Sequence, residues 1–239
     1  MAAFRAAIRH GADMIEADLR VTRDNVPVML HDPRVDRTTD GQGLVYDLDW
    51  SDLQQLDAGR WFGPEFAGER VPRLVDLFTL AEENGIALCI EAKGETHEQA
   101  VATSLIAGRE IASRGRLGID VVASFDHEAL LKAVEAIPGL RVAPDRLPER
   151  GASTAAELIA QARACRAGII QHHVADLEAD VVAQVQDAGI DLWAWPANTA
   201  EEIAFAKATG VAGIMGDDVE AISAAVAGRS SPRRLNSST

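Results

Sequence analysis

The sequence predicts an α/β fold, because short apolar runs alternate with longer segments of helical periodicity along the chain. Several of the short runs are apolar on both faces, as buried parallel strands are. The chain has 239 residues and repeats this unit about seven times, with roughly 20 to 30 residues per unit. That spacing favours a TIM (β/α)8 barrel, which takes about 250 residues, over an open Rossmann sheet, since no GxGxxG motif is present.

The predicted elements follow this alternation in order. Strand character is found in residues 14–21, 87–92, 120–125, 140–144, 168–172, 191–195 and 213–215. Helical patterns cover residues 2–10, 74–84, 95–113, 127–137, 155–166, 178–188, 200–209 and 219–227. Four of these patterns are followed directly by a glycine that can end a helix, namely Gly11, Gly85, Gly189 and Gly210. Because the chain opens with a helix, a barrel of eight strands would lack its first strand.

One region departs from the alternation. Residues 26–32 form a second strand-like run after the turn residues 22–25, which predicts a β-hairpin. Residues 32–73 then form a polar insertion rich in glycine, aspartate and threonine, and its length predicts a functional role. The sequence thus predicts one barrel domain over residues 1–227, followed by a disordered tail over residues 228–239.

Composition and charge exclude several classes of protein. Hydrophobic residues make up 47% of the chain and charged residues 25%, which is ordinary for a globular domain. The net charge of −14 argues against a nucleic-acid partner. No apolar run is long enough to be an integral membrane segment, and the charged start does not match a signal peptide, so a cytoplasmic location is expected. Cys89 and Cys165 lie far apart in apolar runs and are expected to be buried thiols.

Carboxylates on two predicted strands indicate a cation site. Glu16 and Asp18 are two residues apart, so both side chains lie on one face of their strand. Glu91 and Lys93 form a second such pair at the carboxyl end of the next strand, where barrel enzymes carry their sites. Three carboxylates from adjacent strands would make an oxygen-lined site for Mg²⁺ or Ca²⁺, with Lys93 as a point charge for an anionic substrate. The alternative is a structural ion pair between the carboxylates and Arg20 or Lys93.

His31 is the candidate acid–base residue. It ends the second strand-like run and precedes Asp32, a placement that can return it to the mouth of the barrel. An imidazole beside a cation and Lys93 suits proton transfer, although a lone histidine more often has a structural role. The other histidines are expected to be structural, with His172 the one that could face the site: His10, His97, His127, His172 and His173.

A longer pattern occupies residues 2–43, AAFRAAIRHGADMIEADLRVTRDNVPVMLHDPRVDRTTDGQG. It resembles the glycerophosphodiester phosphodiesterase family, which has AF-x-A, GAD, an ELDV strand, T-x-D, an HD pair and RTT(D/N)G-x-G in this order. The resemblance continues in the segments PRL at 72–74, IEAK at 90–93, SF at 124–125, WPAN at 195–198 and GVAGIMGD at 210–217. It therefore covers residues 2–227.

This resemblance implies a metal-dependent barrel hydrolase that cleaves small-molecule glycerophosphodiesters, such as glycerophosphocholine, to glycerol 3-phosphate and an alcohol. Three carboxylates match the family's ligands for a divalent cation, Mg²⁺ or Ca²⁺, namely Glu16, Asp18 and Glu91. His31 matches one of the family's two catalytic histidines, and Lys93 matches a residue of its phosphate pocket. Trp195 would line the glycerol side of the site or pack in the core.

The sequence also departs from the family pattern. The H-R-G and P-E-N-T motifs, which carry the second histidine, an arginine and a glutamate, do not occur in these 239 residues. The resemblance thus implies impaired catalysis, and a barrel without its first strand would expose two strand edges and be unstable, distorted or homo-oligomeric. One alternative is a non-catalytic protein that keeps the metal and phosphate pocket. Another is a phospholipase-like enzyme, which needs an apolar mouth that the polar insertion does not indicate.

Overall fold

The computed structural model describes residues 1–146 and 153–227, and within them it has the predicted alternation of strands and helices. The helices are α1 (Ala2–Arg9), α2 (Trp50–Leu53), α3 (Leu74–Asn84), α4 (His97–Ser113), α5 (His127–Ala136), α6 (Ala155–Ala164), α7 (Ala179–Asp187), α8 (Ala200–Thr209) and α9 (Val219–Val226). The strands are β1 (Met14–Val21), β2 (Pro27–Met29), β3 (Ala87–Ala92), β4 (Val121–Ser124), β5 (Val142–Pro144), β6 (Ile169–His173), β7 (Asp191–Trp195) and β8 (Gly213–Ile214).

The strands form the wall of a TIM barrel, as the sequence predicts. One sheet has the order β2-β1-β3-β4-β5 and a second has the order β6-β7-β8, and a parallel bridge between Asp145 and Gln171 links them. Every pair is parallel except β1 with β2, which form the predicted hairpin. In the part of the chain that the structure describes, β2 covers residues 19–21 on one edge of β1, and β8 pairs with β7 alone. The edge of β1 is therefore partly covered at the carboxyl end of the strand.

Side chains alternate between two apolar layers along each barrel strand. Ile15, Ala17 and Leu19 of β1 face the surrounding helices and join the main core. A second layer fills the barrel interior and consists of Met14, Cys89, Val121, Ala123, Ala143, Ile169 and Trp193. This layer supports the polar side chains that lie closer to the carboxyl ends of the strands.

Capping side chains and glycines fix the ends of the helices. Thr96 caps α4 with its hydroxyl, so the helix begins at His97 rather than at residue 95. The glycines that follow α1, α3, α7 and α8 all have positive φ, as the sequence predicts. Strands and helices thus keep their predicted places, with differences of one or two residues at most ends.

The insertion over residues 32–73 folds around a small core of its own with the hairpin, made of Val28, Val35, Val45, Leu53 and Val71. Asp57 organises the loop, because its carboxylate accepts hydrogen bonds from three backbone N–H groups at 2.8 to 3.0 Å, those of Gly59, Arg60 and Gly68. These hydrogen bonds lower the pKa of Asp57 to about 2.

Three aromatic side chains of the insertion form an exposed aromatic cluster, Trp61, Phe62 and Phe66. Trp61 is 50% exposed and Phe62 is 72% exposed, and the rings pack edge to face with centroids 5.5 to 5.7 Å apart. The guanidinium of Arg37 lies 5.9 Å from the Trp61 ring centroid. The insertion therefore carries exposed apolar surface, because these rings pack against one another instead of entering a core.

Two further expectations can be compared with the structure, and a third falls on residues that it does not describe. Cys89 and Cys165 are both buried and free, as predicted. Among the described helices, none is long and apolar enough to cross a membrane. The tail predicted to be disordered, residues 228–239, lies outside the described residues.

Candidate active site

The parallel register of β1 and β3 brings the three predicted carboxylates together. Asp18 lies opposite Glu91 across the two strands, and Glu16 precedes Asp18 on the same inner face, since the intervening Ala17 packs in the outer core. One oxygen from each carboxylate lies within 4.8 Å of the other two. Glu16 is the exposed member of this group, whereas Asp18 and Glu91 are half-buried. We call these three residues the acidic cluster.

Lys93 lies against the acidic cluster. Its Nζ is 3.0 Å from Asp18 Oδ1 and 2.5 Å from Glu91 Oε1. Burial lowers the pKa of Lys93, but the carboxylates of Glu91 and Asp18 together raise it by more, so the net shift of the pKa is upward. Lys93 is therefore a fixed positive charge at this end of the barrel.

The acidic cluster holds more negative charge than Lys93 balances. The side chain of Glu16 reaches solvent at the open end of the barrel, but the barrel wall surrounds its carboxyl, and this burial raises the pKa of Glu16 well above the ordinary value. The charges of Asp18 and Glu91 add to the rise. Burial also raises the pKa of Glu91, against the opposing effect of Lys93. A divalent cation would relieve this repulsion, since carboxylate oxygens are the ligands that Mg²⁺ and Ca²⁺ prefer.

His31 follows β2 with 65% of its side chain exposed. Its Nδ1 lies 2.8 Å from Asp32 Oδ1, and Arg37 donates two hydrogen bonds to the same carboxylate at 2.6 and 2.9 Å. The guanidinium of Arg37 holds the pKa of Asp32 well below its usual range. The backbone N–H of Leu30, the residue before His31, donates to the carbonyl oxygen of Asp18 at 2.9 Å. The structure thus places His31 at the carboxyl end of β1, the end of the barrel where the acidic cluster lies.

Arg20 holds the backbone of His31 in place. Its Nε and Nη2 donate to the His31 carbonyl oxygen at 2.9 and 2.8 Å, and its Nη1 donates to Glu95 at 3.0 Å. Because these partners occupy the guanidinium, Arg20 does not form the structural ion pair that the sequence left open. Asp18 and Glu91 pair with Lys93 instead.

Trp195 ends β7 and lines the same end of the barrel. Its ring packs edge to face on Phe125, with centroids 5.7 Å apart, and on His173, with centroids 5.3 Å apart. Lys93 Nζ lies 5.6 Å from the centroid of the Phe125 ring. Trp195 is half-buried, and its indole Nε1 has no hydrogen-bond partner among the described residues. The side chain therefore faces the site instead of lying wholly in the core.

His173, and not His172, lies on the site face of β6. His172 is 2% exposed, and its Nδ1 pairs with the backbone oxygen of His173. Burial lowers the pKa of the His172 imidazole, which keeps it neutral and structural. The possibility that His172 faces the site is therefore wrong. Side chains alternate along β6, so His173 lies on the same face as Gln171. This alternation is the feature of the sequence that could have predicted that His173 faces the site.

Asp145 is a site carboxylate that the sequence interpretation missed. It directly follows β5 and is 4% exposed, and its Oδ2 has no hydrogen-bond partner in the described ranges. Burial raises the pKa of Asp145 well above its ordinary value, and the charge of Glu91 adds to the rise. An aspartate directly after a parallel strand was the available signal, because such residues lie at the carboxyl end of the barrel.

A cleft of about 580 Å³ opens over the carboxyl ends of β3, β4 and β5. Its lining includes Glu91, Lys93, Phe125, Asp145 and His97. Substrates of TIM-barrel enzymes bind at this end. The volume lies within the range of sites for small molecules.

An acidic cluster, a lysine and an exposed histidine at the carboxyl ends of barrel strands are typical of enzymes that hydrolyse phosphate esters. The comparison with known families agrees with this class. The chain belongs to the glycerophosphoryl diester phosphodiesterase family, whose model matches residues 1–221. The family's enzyme class is that of phosphoric diester hydrolases.

Individual relatives extend over most of the chain. A protein of Caldanaerobacter subterraneus named glycerophosphodiester phosphodiesterase is 32% identical over 224 residues, which cover 93% of this chain and 89% of the relative. A Bacillus subtilis relative is 33% identical over 217 residues, covering 91% of this chain and 87% of its own. The fold is also similar to that of an Oleispira antarctica phosphodiesterase solved with its product sn-glycerol-3-phosphate, with a TM-score of 0.82, 24% identity, and coverage of 94% and 89% of the two chains.

Proposed function

We propose that the protein hydrolyses glycerophosphodiesters to glycerol 3-phosphate and an alcohol, with Mg²⁺ or Ca²⁺ held by Glu16, Asp18 and Glu91. One observation carries this proposal. The three carboxylates converge within 4.8 Å of one another at the barrel end where His31 and Lys93 also lie. A phosphodiester is anionic, so a site of carboxylates alone would repel it, whereas a site with a bound cation and Lys93 would attract it.

The donor set of the acidic cluster fits a hard divalent cation. All three candidate ligands offer carboxylate oxygen, and the cluster contains no sulfur or imidazole ligand that would favour a softer metal. Glu16 makes no ion pair within the part of the chain that the structure describes, so its carboxylate is available to an ion. When bound, the cation would offset negative charge on the phosphodiester oxygens.

The side chains of this chain supply the remaining steps. Lys93 holds a positive charge next to the acidic cluster and would bind a phosphate oxygen. In hydrolysis, the oxygen of a water forms a new bond to phosphorus, the bond from phosphorus to the alcohol oxygen breaks, and the alcohol takes up a proton. His31 is the group that would move a proton, since Asp32 holds its Nδ1, and its Nε2 makes no hydrogen bond within the described residues.

The test is an assay of glycerophosphocholine hydrolysis with and without Mg²⁺ or Ca²⁺. We expect cation-dependent release of glycerol 3-phosphate, lost on chelation and reduced about 100-fold or more in His31→Ala. His10→Ala is the matched control, because His10 lies at the end of α1, where it contacts Glu220. Full activity of His31→Ala would overturn the assigned role of His31. Binding of the cation and of glycerol 3-phosphate without turnover would favour the alternative, a non-catalytic protein that keeps the pocket.

The exposed aromatic cluster favours a second candidate function, hydrolysis of a lipid phosphodiester such as a lysophospholipid. Trp61 contacts Arg37, which holds the carboxylate beside His31, so an apolar surface adjoins the candidate site. Aromatic side chains exposed in this way can bind acyl chains or a lipid interface. If lysophosphatidylcholine is a substrate, Phe62→Ser should lower kcat/KM for it and leave glycerophosphocholine hydrolysis unchanged. Equal effects on both substrates would exclude this function.

A further inference from the structure

The exposed aromatic cluster lies on a loop whose backbone is held in place from within. Asp57 accepts hydrogen bonds from three backbone N–H groups of this loop, and Trp61 Nε1 donates to the Ala58 carbonyl oxygen at 3.1 Å. Gly59 lets the two sides of the loop approach closely, because a Cβ at this position would overlap the carbonyl oxygen of Phe66. The loop itself therefore holds the three rings together at the surface.

The exposure of these rings indicates an interaction surface. Phe62 is 72% exposed and Trp61 is 50% exposed, and within the described residues their ring contacts are to the other rings of the cluster and to Arg37. Pro64 and Ala67, which belong to the same loop, are exposed as well. Neighbouring apolar groups that stay in contact with water in this way mark sites where a protein binds a partner or a membrane.

The charges around the cluster favour phosphate groups. Arg60 and Arg70 lie on either side of the cluster in the sequence, and both are exposed. Glu65 is the exposed acid of this loop, since Asp57 is buried and Glu69 pairs with the N-terminal ammonium at 3.2 Å. Arginines beside aromatic rings can bind the phosphate oxygens of lipid head groups while the rings enter the apolar layer below. A phospholipid layer thus complements both the apolar groups and the exposed charges of the loop.

A second copy of the chain and an anionic membrane complement this surface less well. In a twofold dimer the surface would meet its own copy, so Arg60 and Arg70 would face like charges across the interface. The net charge of −14 opposes the approach of the protein to an anionic lipid layer. A zwitterionic phospholipid layer causes neither repulsion.

We propose that the exposed aromatic cluster docks the protein on a zwitterionic phospholipid surface, with its rings in the interfacial layer and the flanking arginines against lipid phosphates. Trp61 contacts Arg37, which pairs with the carboxylate beside His31, so docking brings the candidate site close to the lipid. Docking does not require that the lipid be hydrolysed. The inference therefore goes beyond the proposed function and can be tested apart from it.

The test is co-sedimentation of the full chain with sucrose-loaded vesicles of phosphatidylcholine. We expect the native protein to bind and Phe62→Ser to bind about tenfold or more weakly, because the variant loses the apolar contact of one aromatic ring. Phe205→Ser is the matched control, since Phe205 is a 44% exposed ring on α8, and it should bind like the native protein. Addition of phosphatidylserine to the vesicles should not strengthen binding.

Fluorescence quenching by brominated phosphatidylcholine identifies the part of the protein that enters the lipid. We expect quenching in the native protein and its loss in Trp61→Phe, although that variant keeps the half-buried Trp50, Trp193 and Trp195. Equal vesicle binding by the native protein and Phe62→Ser would overturn the docking surface. Quenching that persists in Trp61→Phe, or binding that strengthens with phosphatidylserine, would overturn it as well.

Two further measurements separate docking from the alternatives. Sedimentation velocity without lipid reports self-association. If Phe62→Ser abolished self-association in a protein that does not bind vesicles, the surface would bind a second copy and the proposal would be wrong. Vesicle binding by a protein that hydrolyses neither glycerophosphocholine nor lysophosphatidylcholine would support docking and contradict the proposed function. Hydrolysis of glycerophosphocholine by a protein that binds no vesicles would have the opposite meaning.

Discussion

Arg37 and Asp32 form a bidentate pair beside the candidate acid–base histidine. Arg37 Nε lies 2.6 Å from Asp32 Oδ2, and its Nη2 lies 2.9 Å from Oδ1. The same Oδ1 is 2.8 Å from His31 Nδ1. Because two hydrogen bonds from the Arg37 guanidinium hold the Asp32 carboxylate in place, Asp32 in turn fixes the orientation of the exposed His31 ring. The insertion, through Arg37, thus helps to set the geometry of the site.

The first prediction concerns this orienting contact. Asp32→Ala should lower kcat for glycerophosphocholine by about 10- to 100-fold with little change in KM, because the imidazole loses its orientation while the phosphate-binding groups stay in place. Steady-state kinetics measure the two constants. Arg34→Ala is the matched control, since Arg34 pairs with Asp36 in the same loop and does not contact His31. A rise in KM with unchanged kcat would show that Asp32 acts in binding instead.

The second prediction concerns the cation. Glu91→Gln should weaken Mg²⁺ or Ca²⁺ binding by at least about tenfold, because it removes one of the three carboxylate ligands. The positive charge of Lys93 then offsets a larger share of the negative charge on the two carboxylates that remain. Isothermal titration of the metal into the protein measures the affinity. Glu98→Gln changes an exposed carboxylate in the first turn of α4 and should bind the metal like the native protein. Unchanged affinity in Glu91→Gln would mean that the cation binds elsewhere.

The acidic cluster could be predicted from the sequence because side chains alternate between the two faces of a strand, and this alternation is a local property. Glu16 and Asp18 are two residues apart and so share one face, and the bounds of β1 and β3 agree with the prediction. The partner of Lys93 depends on the register between strands, which the local pattern does not contain. Asp145 and Trp195 are neighbours only because β5 and β7 curve around the barrel. The insertion has no periodic pattern, so its exposed rings could not be assigned.

The third prediction tests the buried ion pair at the opposite end of the barrel. Asp120 is fully buried and accepts two hydrogen bonds from Arg116 and one from the Leu88 backbone N–H. Asp120→Ala should lower the free energy of unfolding by about 3 to 5 kcal/mol, because it leaves a buried guanidinium without its counter-charge. Urea denaturation measures the change. Glu135→Ala breaks the exposed pair with Arg166 and should cost less than about 1 kcal/mol.

The fourth prediction is a pH dependence in the insertion. Asp57 accepts hydrogen bonds from three backbone N–H groups, and these hydrogen bonds lower its pKa to about 2. The ordinary value for an aspartate in an unfolded chain is about 3.9. A carboxylate whose pKa is depressed by folding adds stability that is fully present above the unfolded value and is lost as the pH falls through the folded one. Asp57→Asn should therefore be less stable than the native protein near neutral pH, and the difference should shrink between about pH 4 and pH 2.

Urea denaturation followed through tryptophan fluorescence gives this difference at each pH, because Trp61 lies in the same loop as Asp57. Taking the difference between the two proteins removes the titration of every other carboxyl, which the variant shares with the native chain. Asp52→Asn is the control, since Asp52 is exposed in α2, and its free energy of unfolding should stay within about 0.5 kcal/mol of the native value. A loss of stability in Asp57→Asn that stays constant from neutral pH down to pH 2 would mean that the lost acceptor oxygen, and not the carboxylate charge, is what destabilises the loop.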